Sequence, residues 1–381
     1  MNKAKYWIWL SMALGAGARV DEILDAWPDP EKLYNESDKS RLISGVFTKA
    51  RLERLKATDI KDAENAIEIC SKNGWNYYTP DSPDYPDELR TLVDRPLVLF
   101  TDGDINLLKN KVAIGVVGTR NPTYDSVAIA KKLCGEMAQC GAVIVSGGAL
   151  GIDAAAHEGA LSAKGITACV LGCGLGTRYL MENDAMRREI AKTGVVISEY
   201  IPFTPASRTT FPIRNRIISG LSKGLLVVEA GEKSGSLITA RFAAEQGKDV
   251  FAVPGSILVS SYSGVNRLIR DGARPVTCAD DILSPYAAMY PDLLSPEKNS
   301  NELPKATKRK GDKKVNAKAV APKGVSPDAA NVYMIMGDDP VYSDEICEKG
   351  NLSAAVVMAA LMELELSGAV IQGEGKMWNR I

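Results

Sequence analysis

Residues 142–157 read A-V-I-V-S-G-G-A-L-G-I-D-A-A-A-H, and this stretch decides the fold. The β-branched run at 143–145 is typical of a buried strand. Three glycines that can take positive φ follow it, namely Gly147, Gly148 and Gly151. Asp153 and the alanines after it predict a helix that begins with a capping aspartate. A helix N-terminus behind a glycine turn directs unpaired N–H groups at the ligand position, so the stretch favours an anion site over an ordinary α/β crossover.

The alternation of apolar strand, loop and helix continues along the chain from residue 111. The predicted strands are residues 112–117, 143–145, 168–171, 195–198, 225–228 and 250–253, with helices at 126–139 and 237–246 between them. Continuous apolar strands separated by helices indicate a parallel sheet covered on both faces. We therefore predict an α/β fold with a Rossmann-like, doubly wound, mostly parallel sheet that binds ligands beyond the carboxyl ends of its strands.

The segments on either side of this sheet divide the chain into four predicted parts. Residues 1–76 have helical apolar spacing and predict a small N-terminal helical domain. Residues 77–288 form the Rossmann-like domain, whose proline-rich lead-in ends in a predicted edge strand at 97–100. Residues 289–326 are poor in apolar residues and rich in lysine, which predicts a basic, disordered linker.

The last part, residues 327–381, has the pattern of a winged-helix-like domain. Three short helices at 328–336, 343–349 and 353–366 precede a hairpin of 369–372 and 377–379 around Gly373-Glu374-Gly375. The third helix could enter a major groove, but it has Glu363 and Glu365 and no lysine or arginine. A protein contact or a vestigial role is therefore favoured over sequence-specific reading of duplex DNA.

Composition excludes several classes of protein. The 381 residues have a formal net charge of -1, which argues against a uniformly basic nucleic-acid binder. The apolar run at 6–14 is too short for a membrane span and lacks a signal-peptide cleavage site, so we expect a cytoplasmic protein. Seven cysteines without a C-x-x-C pair, beside a single histidine, predict reduced buried thiols, no metal and no cofactor. His157 lies four residues after Asp153 and is interpreted as structural, so no catalytic residue is predicted.

An arginine follows the first predicted strand of the sheet. Gly118-Thr119-Arg120-Asn121-Pro122 comes directly after it, at the edge where the ligand cleft is expected. Arg120 can bind a phosphate in a bidentate manner, with Asn121 beside it. The alternative is a surface arginine paired with a carboxylate.

A second group of cations surrounds an aromatic residue. Arg208 and Phe211 precede a helix predicted to begin at Pro212, and Arg214, Asn215 and Arg216 lie at its start. Cations beside an available ring suit a single-strand site, because every phosphate is charged and every base has a π-face. Alternatively, Phe211 staples the helix while the arginines pair with Glu199 or Glu229.

Two further glycine turns lie at the same predicted sheet edge. Gly172-Cys-Gly174-Leu-Gly176 follows the third strand, and Gly231-Glu-Lys233-Ser-Gly235-Ser236 follows the fifth. Neither is a Walker sequence, so ATP hydrolysis is not supported. Gly148, Lys233 and Ser236 are therefore also predicted to contact the ligand. The residues predicted to form structural turns or caps are Gly118, Gly147, Gly151, Asp153 and Gly174.

In combination these motifs resemble the bacterial DNA-processing protein A (DprA/Smf) family over about residues 85–285. The matching residues are Gly118-Thr119-Arg120, Ser146-Gly147 through His157, Leu171 through Gly174, Phe211 through Ile218 with Gly220-Leu221-Ser222, Glu229-Ala230 with Ser234-Gly235-Ser236, Val253-Pro254-Gly255, and Asn266 through Ala273. The chain differs from the family pattern at Thr119, Leu180 and Val265.

The resemblance implies a protein that binds single-stranded DNA without sequence specificity during natural transformation. It implies further that the protein displaces or tolerates single-strand-binding protein, loads the RecA recombinase and forms a homodimer through residues 266–273. The family's DNA site corresponds here to Arg120, Arg208 and Phe211.

Two other classes of protein remain as alternatives. A nucleotide phosphoribohydrolase has a similar fold, but its P-G-G-x-G-T signature does not occur in this sequence. A winged-helix transcription regulator is disfavoured by the acidic third helix.

Overall fold

The computed structural model describes residues 3–294, 322, 325–337, 341–372 and 377–380. The chain divides into two compact units, Met1–Asn299 and Ser300–Ile381. Most of the predicted basic linker and the Gly373-Glu374-Gly375 turn lie outside the described residues. The first six residues of that predicted linker belong to the first unit instead, because Leu294 is buried against its core.

The first unit begins with six helices. They are α1 (Ala4–Leu14), α2 (Asp21–Ala26), α3 (Pro30–Asn35), α4 (Asp38–Ile43), α5 (Lys49–Ala57) and α6 (Ile60–Asn73). Side chains of Asp29, Ser37, Thr48 and Asp59 accept backbone N–H bonds at the starts of α3 to α6. The buried side chains Trp9 and Leu10 share one apolar cluster with Val98 and Leu171 of the sheet domain. The predicted division at residue 76 therefore marks a change of secondary structure and not the end of a core.

Nine strands form one sheet in the order β1-β2-β6-β5-β4-β3-β7-β8-β9. They are β1 (Asn76–Tyr78), β2 (Leu99–Gly103), β3 (Ala113–Val117), β4 (Val143–Ser146), β5 (Thr167–Leu171), β6 (Val195–Ser198), β7 (Gly224–Val227), β8 (Asp249–Ala252) and β9 (Arg274–Pro275). The strands from β3 to β9 are parallel, whereas β1 and β2 are antiparallel. The mostly parallel, Rossmann-like sheet is thereby confirmed. The edge-strand prediction at 97–100 is wrong, because β2 pairs with β6 on one side and β1 on the other.

Helices cover both faces of this sheet. They are α7 (Asp87–Arg90), α8 (Tyr124–Gln139), α9 (Ile152–Ser162), α10 (Asp184–Thr193), α11 (Thr210–Leu221), α12 (Ser236–Glu245), α13 (Ser263–Arg270) and α14 (Asp280–Met289). Side chains alternate between the two faces as strand geometry requires. Val143 and Val145 enter one apolar cluster, while Ile144 enters the opposite one.

The second unit has its own apolar core and the winged-helix pattern. Its elements are α15 (Pro327–Ile335), β10 (Val341–Tyr342), α16 (Ser343–Gly350), α17 (Ala354–Leu366), β11 (Val370–Gln372) and β12 (Met377–Arg380). Val332, Ile346 and Leu361 from the three helices meet in this core. The three predicted helices and the paired strands after them are confirmed, and β10 adds a third strand to β12.

Cysteine burial follows the prediction for four of the seven thiols. All seven thiols are free, and Cys70, Cys134, Cys169 and Cys173 are buried. The other three, Cys140, Cys278 and Cys347, are half-buried, so the expectation of uniformly buried thiols is wrong for them. Within the described residues, no helix is both long and apolar enough to span a bilayer.

Candidate nucleic-acid interface

A cleft of about 220 Å³ opens at the carboxyl ends of β3 and β7. These strands are neighbours in space, although β4 to β6 come between them in the chain. The strand order therefore reverses beside them, which is where doubly wound sheets bind ligands. The predicted site residues that line the cleft are Gly118, Arg120, Asp153, Phe211, Arg214, Asn215 and Ser236.

The turn after β4 needs glycine for two different reasons, positive φ at two positions and close packing at a third. Gly148 and Gly151 have φ of 65° and 80°, as predicted for this turn. Gly147 does not have positive φ, so that part of the prediction is wrong. A Cβ on Gly147 would lie 2.6 Å from both the Arg214 guanidinium and the Asp153 carboxylate, so glycine is needed there for close packing.

Asp153 does not cap its own helix, in contrast to the prediction. Gly151 is the N-cap of α9, and Asp153 is the second helical residue, with its side chain directed back at the turn. Its carboxylate accepts a hydrogen bond from the backbone N–H of Ala149 at 3.4 Å. Burial raises the pKa of the Asp153 carboxyl, and the positive charge of Arg214 opposes that shift.

Arg214 is buried, and its side chain is hydrogen-bonded to the glycine turn after β4. Its guanidinium donates to the carbonyl oxygens of Gly147, at 2.6 Å, and of Val170. Its Nε donates to Asn215 Oδ1 at 3.1 Å. Three donors are thus engaged within the protein, so Arg214 differs from the exposed phosphate-binding side chain expected from the sequence.

Arg120 and Phe211 form the mouth of the cleft. The guanidinium carbon of Arg120 lies 5.1 Å from the centroid of the Phe211 ring, within cation–π range. Arg120 is exposed, and among the described residues no carboxylate forms an ion pair with it. The alternative of a surface arginine paired with a carboxylate therefore does not describe Arg120 in the part of the chain that the structure describes.

Phe211 lies inside its helix and not before it. The helix α11 begins at Thr210, so the predicted start at Pro212 is wrong by two residues. The Phe211 ring is half-buried and lies 5.3 Å from the Tyr179 ring, centroid to centroid. Its edge packs on Gly172, where a Cβ would be only 2.7 Å away. The ring therefore contacts both the Tyr179 ring and the Arg120 guanidinium and is still partly exposed.

Arg216 is an internal ion-pair residue. It is almost fully buried and lies 2.7 Å from the Glu199 carboxylate and 3.2 Å from that of Asp94. Glu199 was one of the two partners considered from the sequence. The other, Glu229, accepts hydrogen bonds from the backbone N–H and the hydroxyl of Thr123 instead.

The remaining predicted residues lie outside the lining of the cleft. Arg208, Lys233 and Asn121 are exposed. Asn121 lies in the loop after β3, and Arg208 and Lys233 lie in the loops before α11 and α12. Gly148 and Gly174 are buried, and a Cβ on Gly148 would lie 2.5 Å from the Cys169 sulfur. Sequence reasoning missed Tyr179, Ile238 and Thr239, since a ring contact and two positions inside a helix have no motif of their own.

His157 is packed inside the sheet domain. Its Nδ1 lies 2.7 Å from the hydroxyl oxygen of Thr167, which itself donates to the carbonyl oxygen of Ile144. The hydroxyl proton is used in that second bond, so Nδ1–H is the donor to Thr167. Burial lowers the pKa of His157 to about 3, which keeps the imidazole neutral. These contacts agree with its interpretation as structural.

Comparison with known proteins extends over both units. Residues 76–287 match the family described as DNA recombination-mediator protein A, and residues 316–376 match the DprA winged helix domain. The DNA processing protein DprA of Bacillus subtilis is 39% identical over 259 residues, which cover 66% of this chain and 87% of that protein. The Smf protein of Escherichia coli is 32% identical over 323 residues, covering 84% and 82%.

Two solved structures share the fold at more than 30% identity. DprA from Streptococcus pneumoniae superposes with a TM-score of 0.64 at 34% identity, over 74% of this chain and 97% of that one. DprA from Helicobacter pylori gives a TM-score of 0.52 at 33% identity, over 56% and 97%, and its structure concerns that protein's single-stranded DNA binding mode. The chain belongs to the DNA recombination-mediator protein A (DprA/Smf) family.

Proposed function

We propose that this protein binds single-stranded DNA without sequence specificity at the cleft between β3 and β7. The observation that carries the proposal is the exposed Arg120 guanidinium over the Phe211 ring at the mouth of that cleft. A phosphate needs a cation that no carboxylate already neutralises, and a base needs a ring with an accessible face. Arg120 and Phe211 supply both within one contact distance.

The helix termini at the cleft add to its preference for an anion. Both α11 and α12 begin beside it, and neither has an acidic residue in its first turn. The positive ends of their dipoles therefore favour phosphate. Asp153, the acidic residue in the first turn of α9, is buried and already accepts the Ala149 N–H.

We assign different tasks to the predicted DNA-binding residues. In this proposal Arg120, Arg208 and Lys233 neutralise phosphates, Phe211 stacks a base, and Asn121, Asn215 and Ser236 donate hydrogen bonds. Arg214 and Gly148 act through the shape of the glycine turn, because the Arg214 donors are engaged within the protein and Gly148 has no side chain.

We further propose that the bound strand is delivered to the RecA recombinase in the presence of single-strand-binding protein, in the cytoplasm. The description of the matched family as a recombination mediator supports this role.

In the proposal the protein is not an enzyme and acts as a homodimer through residues 266–273. Arg267 and Arg270 are exposed on α13 in that segment, whereas Asn266 clamps both backbone groups of Gly255. Light scattering at tens of micromolar tests the dimer.

The decisive experiment compares labelled single strands with duplexes of the same length and sequence by fluorescence anisotropy. We expect tighter binding of the single strand, because the bases of a duplex are already stacked and cannot use Phe211. Equal or tighter duplex binding would contradict the proposal.

Incubation with nucleoside monophosphates tests the phosphoribohydrolase alternative, for which released free base is the supporting result.

A further inference from the structure

Phe203 is an exposed aromatic residue in a strained backbone conformation. It lies in the loop that follows β6, at the same sheet edge as the cleft, and 53% of the residue is exposed. Its φ is 66°, a region that residues with a Cβ rarely adopt. Such strain persists only where the surrounding structure determines it, and it is concentrated at functional sites.

Backbone hydrogen bonds hold Phe203 in place. Its N–H donates to the carbonyl oxygen of Leu175 at 2.9 Å, and the N–H of Gly174 donates to that of Thr204 at 2.9 Å. Gly174 has no room for a side chain against this loop. The loops after β5 and β6 are therefore joined by backbone hydrogen bonds that fix the backbone of Phe203.

The Phe203 ring is supported on one side and open on the other. It packs over Gly176, and its centroid lies 5.9 Å from that of the half-buried Trp75 ring. An apolar ring placed only for core packing would be covered on both sides. The support resembles that of the half-buried Phe211, which packs on Gly172 and Tyr179.

The two rings lie at opposite ends of one glycine loop. Gly172 contacts Phe211 and Gly176 contacts Phe203, and four residues of chain span at most about 14 Å. At about 3.4 Å for each stacked nucleotide, that distance corresponds to no more than about four nucleotides. One short strand can therefore reach both rings.

Two exposed arginines lie in the chain segments next to the 172–176 loop and Phe203. Arg178 follows Thr177, whose hydroxyl donates to the carbonyl oxygen of Thr204 at 2.8 Å, next to Phe203. Arg208 lies at the other end of the loop that contains Phe203. Both arginines are exposed, and neither forms an ion pair with another described residue.

We infer that Phe203 is a second base-stacking subsite, and that a single strand runs from Phe211 along the 172–176 loop to Phe203 with Arg178 and Arg208 beside its phosphates. The inference rests on the proposed single-strand function of the cleft and extends its length. The ligand class is single-stranded nucleic acid long enough to cover both rings.

The test measures the affinity of the full chain for a thymidine dinucleotide, which is too short to reach both rings, and for a thymidine oligonucleotide of about 16 nucleotides, which is within the range of common single-strand site sizes. Phe203→Ala keeps a Cβ, and therefore the backbone strain, while it removes the ring. We expect it to weaken binding of the longer strand by roughly 5- to 150-fold and to leave the short strand nearly unchanged. Phe203→Trp should retain affinity for both, and Ile43→Ala, which shortens another exposed apolar side chain, is the matched control.

Two further measurements separate a structural role from a stacking role. Phe203→Gly relieves the positive φ and should unfold at a higher temperature than Phe203→Ala, yet lose affinity for the long strand equally. Trp75 fluorescence should be quenched by the long strand, and Trp75→Phe identifies that signal among the five tryptophans.

The outcomes distinguish this inference from the proposed function. If Phe203→Ala binds the long strand as tightly as the parent while Phe211→Ala does not, the second subsite is wrong and the cleft remains the DNA site. If the parent protein binds no single strand of either length, both the cleft function and its extension are wrong.

Discussion

The Arg120 guanidinium lies 5.1 Å above the Phe211 ring, so a charged group and a π-face occupy the same end of the cleft. The two groups bind different parts of a nucleotide by different physics. A phosphate contact releases counterions and depends on salt, whereas a stacked base releases none. Substitutions at the two residues should therefore be distinguishable in one set of titrations.

Replacing Arg120 or Arg208 by alanine should weaken single-strand binding and flatten its salt dependence. Each lost phosphate contact should reduce the magnitude of the slope of log affinity against log salt by about 0.7. Anisotropy titrations at several salt concentrations give that slope. An unchanged slope in both variants would mean that neither arginine neutralises a phosphate.

Replacing Phe211 by alanine should weaken binding by about 1–3 kcal/mol at every salt concentration and leave the slope nearly unchanged. Phe211 also packs on Tyr179 and Gly172, so unfolding by urea must be measured on the same variant. A folded Phe211→Ala protein that binds single strands as well as the parent would make Phe211 a packing residue only.

Replacing Arg216 by alanine should lower the free energy of unfolding by about 3–5 kcal/mol, because it leaves the buried Glu199 carboxylate without its partner. The double variant Arg216→Met with Glu199→Leu should recover part of the loss. Urea denaturation monitored by circular dichroism is the measurement. A stable Arg216→Ala protein that no longer binds DNA would contradict this prediction and would show that Arg216 acts in DNA binding and not in stability.

The burial of neutral His157 should lower the stability of the protein as the pH drops below about 6.5. The pKa of His157 is lowered by burial to about 3, so between these values the unfolded chain binds a proton that the folded protein does not. This contributes about 1.4 kcal/mol per pH unit, or about 2 kcal/mol between pH 6.5 and 5. His157 is the only histidine, so untagged His157→Gln should lose most of this dependence, and an equal dependence in both proteins would contradict the assignment.

A protein ending at residue 294 should retain the single-strand affinity of the full chain. The proposed contact residues all lie in the first unit, and α17 has no cation and exposes Met358, Met362 and Leu366. A loss of affinity on truncation would place part of the DNA site in the linker or the winged helix. Removing residues 1–84 as well should destabilise the protein, since α1 and the sheet share one apolar cluster.

Local pattern in the sequence was sufficient for the six central strands of the sheet, but it did not predict β1 or β9. Runs such as Val143-Ile144-Val145 can only be buried on both faces, so their spacing identified the parallel strands without any knowledge of their neighbours. The positive φ of Gly148 and Gly151 follows from the same local argument. The winged-helix pattern is also local, because each of its elements is short and is bounded by turn residues.

The sequence by itself therefore determined the strands, the turn and the residue types at the sheet edge, but the tertiary structure decided which of those residues remain free to bind. From the sequence, Arg120 and Arg214 are both predicted to contact DNA, and Arg216 lies beside Arg214 at the start of the same helix. Arg214 is bound to two backbone carbonyl oxygens and Arg216 to two carboxylates, which leaves Arg120 exposed over Phe211. These partners are at least 17 residues distant in the chain, and periodicity contains no information about contacts at such a separation. Only the order of strands in the sheet brings them together.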